Sequence, residues 1–111
     1  MGQFSRVMTQ EMARILLAED DESMRIYIAR ALERAGYTVT AVDRGTAALP
    51  LVATGGFDLL LTDIVMPEMD GIELAQRSVA LAPSMRVMFI TGFAAVALNR
   101  SDDTPANAKV L

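Results

Sequence analysis

The side chains that could do chemistry together are the consecutive acids Glu19, Asp20 and Asp21, the acid Asp63 that follows Leu59-Leu60-Leu61-Thr62, and Thr91 with Gly92 behind it. Carboxylates that converge repel one another and raise their own pKa values unless a cation neutralises them. A site of this kind asks for a metal. The chain has no histidine and no cysteine, so only oxygen ligands remain. Such a donor set selects a hard ion, and Mg²⁺ suits a small pocket that keeps open positions for water and phosphate. In that pocket Asp21 would ligate the ion, Asp20 would act directly or through water, and Asp63 would be both ligand and nucleophile. A carboxylate can attack a phosphoryl group to give an aspartyl phosphate when the charge on the equatorial oxygens is offset. Thr91 offers a hydroxyl for that purpose, and Gly92 leaves room and backbone N–H access. Taken alone, Glu19-Asp20-Asp21 would only cap a helix, because Asp is a good N-cap and acids suit the positive end of a helix dipole. Thr91-Gly92 alone would be an ordinary strand-ending turn.

These residues gain meaning from the elements that hold them. Ile15 to Ala18 and Leu59 to Leu61 are short, wholly apolar runs, the pattern of strands buried on both faces in a parallel sheet. Val87 to Ile90 is a third such run, Thr38 to Val42 reads as a strand, and Ala108 to Leu111 as the start of a fifth. Between them, Met24, Ile28, Ala31, Leu32 and Ala35 recur at helical spacing before Gly36, and Ile72, Ala75, Val79 and Ala82 mark the inner face of another helix stopped before Pro83. Thr46 to Thr54 has helical composition, but Pro50 predicts that this helix is kinked or starts late. Phe93 to Leu98 has the makings of a short helix. Strands alternating with helices describe an α/β doubly wound parallel sheet. Five short units usually take the flavodoxin-like order 2-1-3-4-5, which makes the first and third strands neighbours and brings Asp20, Asp21 and Asp63 together.

Composition bounds the rest. The 111 residues suffice for one domain, and 52% hydrophobic against 22% charged residues argues for a packed core. No apolar run is long enough for a membrane span, and a net charge of −4 gives no footprint for nucleic acid. A soluble, cytoplasmic protein with neither membrane nor nucleic-acid partners is expected. Residues 1–11 are polar and aperiodic and read as a leader or upstream extension, leaving 12–111 as the folded domain.

In the order and spacing of Asp20-Asp21 after a buried strand, Asp63 followed by Met66-Pro67 and Asp70-Gly71, and Thr91 after Met88-Phe89-Ile90, the chain resembles the receiver domain of two-component response regulators. The resemblance implies phosphotransfer to Asp63 from a histidine kinase or histidine phosphotransfer protein. It implies Mg²⁺ held by Asp20, Asp21, Asp63 and the backbone carbonyl of Val65, with Thr91 and Gly92 at the phosphoryl group. Val65 and Phe93 would flank that group and, being apolar, hinder attacking water and lengthen the phosphorylated lifetime. The wording ILLAEDD, LLLTDIVMPEMDGIELA and MFITGFAAVALN is similar to stand-alone receivers of alphaproteobacteria. That implies output by protein contact, through the ClpX unfoldase in control of ClpXP-mediated proteolysis, and no enzymatic role beyond self-phosphorylation and autodephosphorylation. The family's lysine after the fifth strand has no counterpart, since Lys109 is the only lysine and stands before Val110-Leu111. The last helix of the family fold is also missing, so an apolar face would be left for a swapped arrangement or a homodimer to cover. Two other readings stay open. One is a pseudo-receiver binding module without phosphotransfer. The other is a small Mg²⁺-dependent phosphatase, which the apolar Val65 disfavours because such chemistry wants a second acid there.

Overall fold

The computed structural model describes residues 13–90 and the backbone of 108–110. In chain order the elements are β1 (Arg14–Ala18), α1 (Glu22–Arg34), β2 (Thr38–Val42), α2 (Gly45–Thr54), β3 (Leu59–Asp63), α3 (Gly71–Leu81), β4 (Arg86–Ile90) and β5 (Ala108–Val110). The five strands form one parallel sheet in the expected order, β2-β1-β3-β4-β5. The readings that fall on residues 1–12 and 91–107, including the Phe93–Leu98 helix and the leader, lie outside the described residues.

Strand alternation splits the core into two layers. Leu16, Ala18, Leu60, Val87 and Phe89 point to one side, where they meet Ala48 and Val52 of α2 and Leu74 and Ala75 of α3. Ile15, Leu17, Leu61 and Ile90 point to the other, against Ile28, Ala29 and Leu32 of α1. The chain therefore needs apolar residues at successive positions, which is why β1 and β3 read as continuous hydrophobic runs.

Three sequence expectations change in detail. α2 does not start late: it begins at Gly45 and runs through Pro50. Pro50 is exposed, so its ring meets solvent, and the missing N–H deprives the helix of one bond while Ala48 and Val52 anchor the turns on either side. On α1 the sheet-facing residues are Ile28, Ala29 and Leu32, whereas Met24 and Ala31 are exposed. On α3 the buried positions are Gly71, Leu74, Ala75 and Ser78, with Ile72, Val79 and Ala82 only partly buried.

Candidate functional site

Register brings the acids together. The last paired residues of β1 and β3 are Ala18 and Thr62, so one step further along each strand stand Glu19 and Asp63, on neighbouring strands about 5 Å apart. Glu19 prolongs the strand by one bond, its N–H donating to the Val42 carbonyl at 3.1 Å. Asp20 follows on the bridge into α1. One carboxylate oxygen from each of Glu19, Asp20 and Asp63 lies within 4.8 Å of the others. Glu19 is buried, Asp63 half-buried and Asp20 exposed, so the cluster is a pocket with its floor in the protein and its mouth in water.

The electrostatics are those of a site short of a positive charge. Burial is the main reason that Glu19 is pushed up to about 7; the Asp21 N–H, which donates to its carboxylate at 3.1 Å, works in the opposite direction. The charge of Asp63 and the hydrogen bond and charge of Asp20 add to the rise. Asp63 is also raised, again chiefly by burial, with the backbone N–H groups of Val65 and Ile64 and the hydrogen bond with Glu19 offsetting part of it, while the charge of Asp20 raises it further. Three oxygen donors from two neighbouring strand ends, with two of them resisting ionisation in each other's presence, are what a hard divalent cation would relieve.

The loop after β3 is held in a different way. The Gly71 N–H donates to the Ile64 carbonyl at 2.7 Å, and a Cβ on Gly71 would collide with the Asp63 carbonyl oxygen and sit 2.9 Å from the Ile64 Cα. The chain between them turns through Pro67 and Glu68, the latter in the left-handed region with φ 70°. Asp70 then caps α3, its carboxylate accepting from the Glu73 N–H at 2.8 Å. The Thr62 hydroxyl, fully buried, donates to the Asp63 carbonyl at 2.9 Å. The backbone of Asp63 is thus boxed in by its neighbours, with its carboxylate turned to Glu19 and Asp20.

Of the expected ligands, Asp20 and Asp63 are brought together and Asp21 is not. Asp21 is the N-cap of α1, its carboxylate accepting from the Met24 N–H at 2.8 Å. The third member of the cluster is Glu19, one residue earlier than the sequence suggested. It stands directly after the apolar run, where β1 ends. Val65 is 68% exposed, and its backbone N–H is hydrogen-bonded to the Asp63 carboxylate. Thr91, Gly92 and Phe93 lie outside the described residues. Lys109 is the middle residue of β5, opposite Met88 in the backbone register. Sequence reasoning also passed over Arg25, whose guanidinium donates to the Glu19 carbonyl at 3.0 Å. Its spacing, six residues after Glu19 and on the first turn of α1, was the only available signal.

A family model described as the response regulator receiver domain matches residues 15–101. The chain is 60% identical over 100 residues to the response regulator receiver protein CpdR of Brucella abortus, covering 90% of this chain and 83% of that protein. Among solved structures, the receiver domain of the hybrid histidine kinase CckA superposes with a TM-score of 0.74 at 31% identity, covering 89% of this chain and 83% of that one. The response regulator TrrA of Thermotoga maritima, solved with Mg²⁺ and BeF, gives 0.78 at 25% identity, covering 90% and 86%. TrrA has also been solved in complex with the histidine kinase ThkA.

Proposed function

The chain belongs to the response regulator receiver family, and from that premise we propose that it accepts a phosphoryl group on Asp63 in a phosphorelay. Receiver domains are signalling modules that pair with histidine kinases, so the donor would be a phosphohistidine on a kinase or phosphotransfer protein. The observation that carries the reading is the meeting of Glu19, Asp20 and Asp63 at the carboxyl edge of β1 and β3, where open α/β sheets place their chemistry. Asp20 and Asp63, with Glu19 behind them, would hold Mg²⁺. When bound, that ion would supply the positive charge that a phosphoryl group needs in order to approach three acids.

The protein's own residues have separable tasks. Asp63 presents the nucleophilic oxygen from a backbone that the Thr62 hydroxyl and Gly71 keep in place. In the metal-free pocket Glu19, raised to about 7 chiefly by burial, can keep a proton on the floor and share it with Asp63, a proton that a bound cation would displace. Val65 at the mouth would slow the approach of water to the product, and Phe93 is assigned the same task by family position. Thr91 and Gly92 are assigned to the transferred group on the same basis.

The 60% identity to CpdR supports a second layer of the reading. Output would be a protein contact made by a stand-alone receiver in the cytoplasm, with the ClpX unfoldase as partner and regulated proteolysis as the result. Binding of the unphosphorylated and phosphorylated forms to ClpX tests this, and absence of binding by both would remove it.

Phosphorylation is tested by incubating the full chain with Mg²⁺ and acetyl phosphate and measuring intact mass. A single phosphoryl adduct is expected on the unaltered chain, with none on Asp63→Asn and none after Mg²⁺ is chelated. An adduct that survives Asp63→Asn would take the acceptor role away from Asp63. No adduct on the unaltered chain would favour the pseudo-receiver reading.

A further inference from the structure

The acids of the pocket do not share one support. Asp63 belongs to β3 and is fixed by backbone packing, but Glu19 and Asp20 lie on a three-residue bridge between β1 and α1. The backbone of that bridge has few ties. The Glu19 N–H takes the last bond to β2, the Asp21 N–H is held by the Glu19 carboxylate itself, and the Asp21 carbonyl accepts the first helical bond from the Arg25 N–H at 2.9 Å. The Glu19 carbonyl lies beyond the last registered pair on both sides of β1, Ala18 with Val42 and Ala18 with Thr62. It therefore has no partner in the regular pairing of the sheet, and Glu19 is only 3% exposed. A buried carbonyl needs a donor from somewhere.

Arg25 supplies that donor. Its Nη1 reaches back over the bridge to the Glu19 carbonyl, and among the described residues no other basic side chain is hydrogen-bonded to the bridge. The side chain is half-buried. Its charge is also felt at the next loop of the same edge: Asp43, held below its usual range chiefly by Arg44, receives a smaller contribution from Arg25. One guanidinium therefore ties the first turn of α1 to the end of β1.

We propose that Arg25 is the positioning residue of the acid pocket, holding the Glu19 peptide so that the Glu19 and Asp20 carboxylates stay within reach of Asp63. This rests on the reading of the pocket as a cation site only for its consequence in Mg²⁺ binding; the mechanical part stands on the metal-free protein. Arg25 itself touches no phosphoryl group.

The test uses the full chain carrying Arg25→Ala or Arg25→Lys. In metal-free protein, hydrogen exchange of the Asp21 amide reports whether the Glu19 carboxylate is in place, and exchange of the Leu16 and Leu17 amides reports on the sheet. Arg25→Ala is expected to speed Asp21 exchange about tenfold or more while Leu16 and Leu17 keep theirs, and to weaken Mg²⁺ binding about fivefold or more by calorimetry, since supporting residues around metal ligands have effects of this order. Arg25→Lys, which keeps a charged donor for the carbonyl, should restore a good part of both. Unchanged Asp21 exchange in Arg25→Ala would overturn the proposal, as would equal acceleration of Leu16 and Leu17 or a lysine variant no better than alanine. If the unaltered chain binds no Mg²⁺, the functional reading of the pocket fails, and the exchange measurements still decide the role of Arg25.

Discussion

Two loops leave the carboxyl edge of the sheet next to each other, the bridge from β1 to α1 and the longer turn from β3 to α3, and each contains an acid that caps the helix it leads into. Asp21 accepts from the Met24 N–H at 2.8 Å and Asp70 from the Glu73 N–H at 2.8 Å. They occupy the same structural position. The acids that meet are the ones before them, Glu19 and Asp20 on one side and Asp63 on the other. In both loops the acid nearest the helix serves the helix, and the acid nearest the strand serves the pocket. The loops differ in how they are held: side-chain bonds from Arg25 and Glu19 secure the first, and contact between backbones secures the second.

That difference is broken most severely at Gly71. A methyl group there meets the Asp63 carbonyl and the Ile64 Cα, and neither is the free end of a side chain that can turn away. Gly71→Ala is expected to cost about 3 kcal/mol or more, at the upper end for overpacking, measured by urea unfolding, and to displace Asp63 in whatever protein still folds. No replacement on the β1 bridge should match it. A Gly71→Ala chain with an unchanged urea midpoint would mean that the second loop is as adjustable as the first.

Next in size is the contrast between neighbours on the bridge. Asp20→Asn should reduce Mg²⁺ affinity by about tenfold to a hundredfold, as loss of a charged ligand does in a site built from few donors. Asp21→Asn should leave it within about twofold, because Asn caps a helix as well as Asp does. Calorimetric titration of both variants decides between them. A larger loss at Asp21 than at Asp20 would return the ligand role to the residue that the sequence first suggested.

The fold was legible in the sequence because its strands announce themselves: Ile15-Leu16-Leu17-Ala18 and Leu59-Leu60-Leu61 are apolar on both faces, and only a parallel sheet covered on both sides asks for that. The cluster was legible to within one residue. A run of three acids gives no mark of where the strand's hydrogen bonds stop, and the bond from the Glu19 N–H to Val42 exists only once β2 is in register. A buried Glu has no signature in the sequence, because its burial is a property of its neighbours. That Asp21 is the member of the run that caps could have been read from Asp70, which stands at the same offset before its helix. Arg25 was legible as a helix residue and no more, since what it holds is a backbone carbonyl. Pro50 shows the opposite case, a strong local signal that does not delay the helix start, since Ala48 and Val52 pack on either side of it.

A pH titration sharpens the contrast at moderate size. Glu19 is raised from an ordinary 4.5 to about 7, so the metal-free folded protein holds a proton there that the unfolded chain has released. Where the folded state binds more protons, stability falls as pH rises. The contribution is fully present below about 4.5 and is lost as pH climbs towards about 7; the rise at Asp63 acts with the same sign. Urea midpoints of metal-free protein should fall across that window, saturating Mg²⁺ should flatten the fall, and Glu19→Gln should remove much of it. A midpoint that rises through the same window would show that the pocket favours the ionised acids without a cation.

The smallest effects should be the most alike. Asp21→Ala and Asp70→Ala each remove a capping acceptor from an exposed helix start, and each should cost about 1 kcal/mol. Replacing either by Asn should restore most of it. The equality is the point of the measurement, since matching losses on the two loops would show that their caps are interchangeable parts and that the difference between the loops lies outside the caps. Asp21 has one further link: its N–H donates to the Glu19 carboxylate, and alanine keeps that N–H. Asp21→Ala should therefore lower the urea midpoint with little change in Mg²⁺ affinity once the protein is folded. A loss at Asp21 well above that at Asp70, recovered by Mg²⁺ only in the unaltered chain, would show that its carboxylate takes part in the pocket after all.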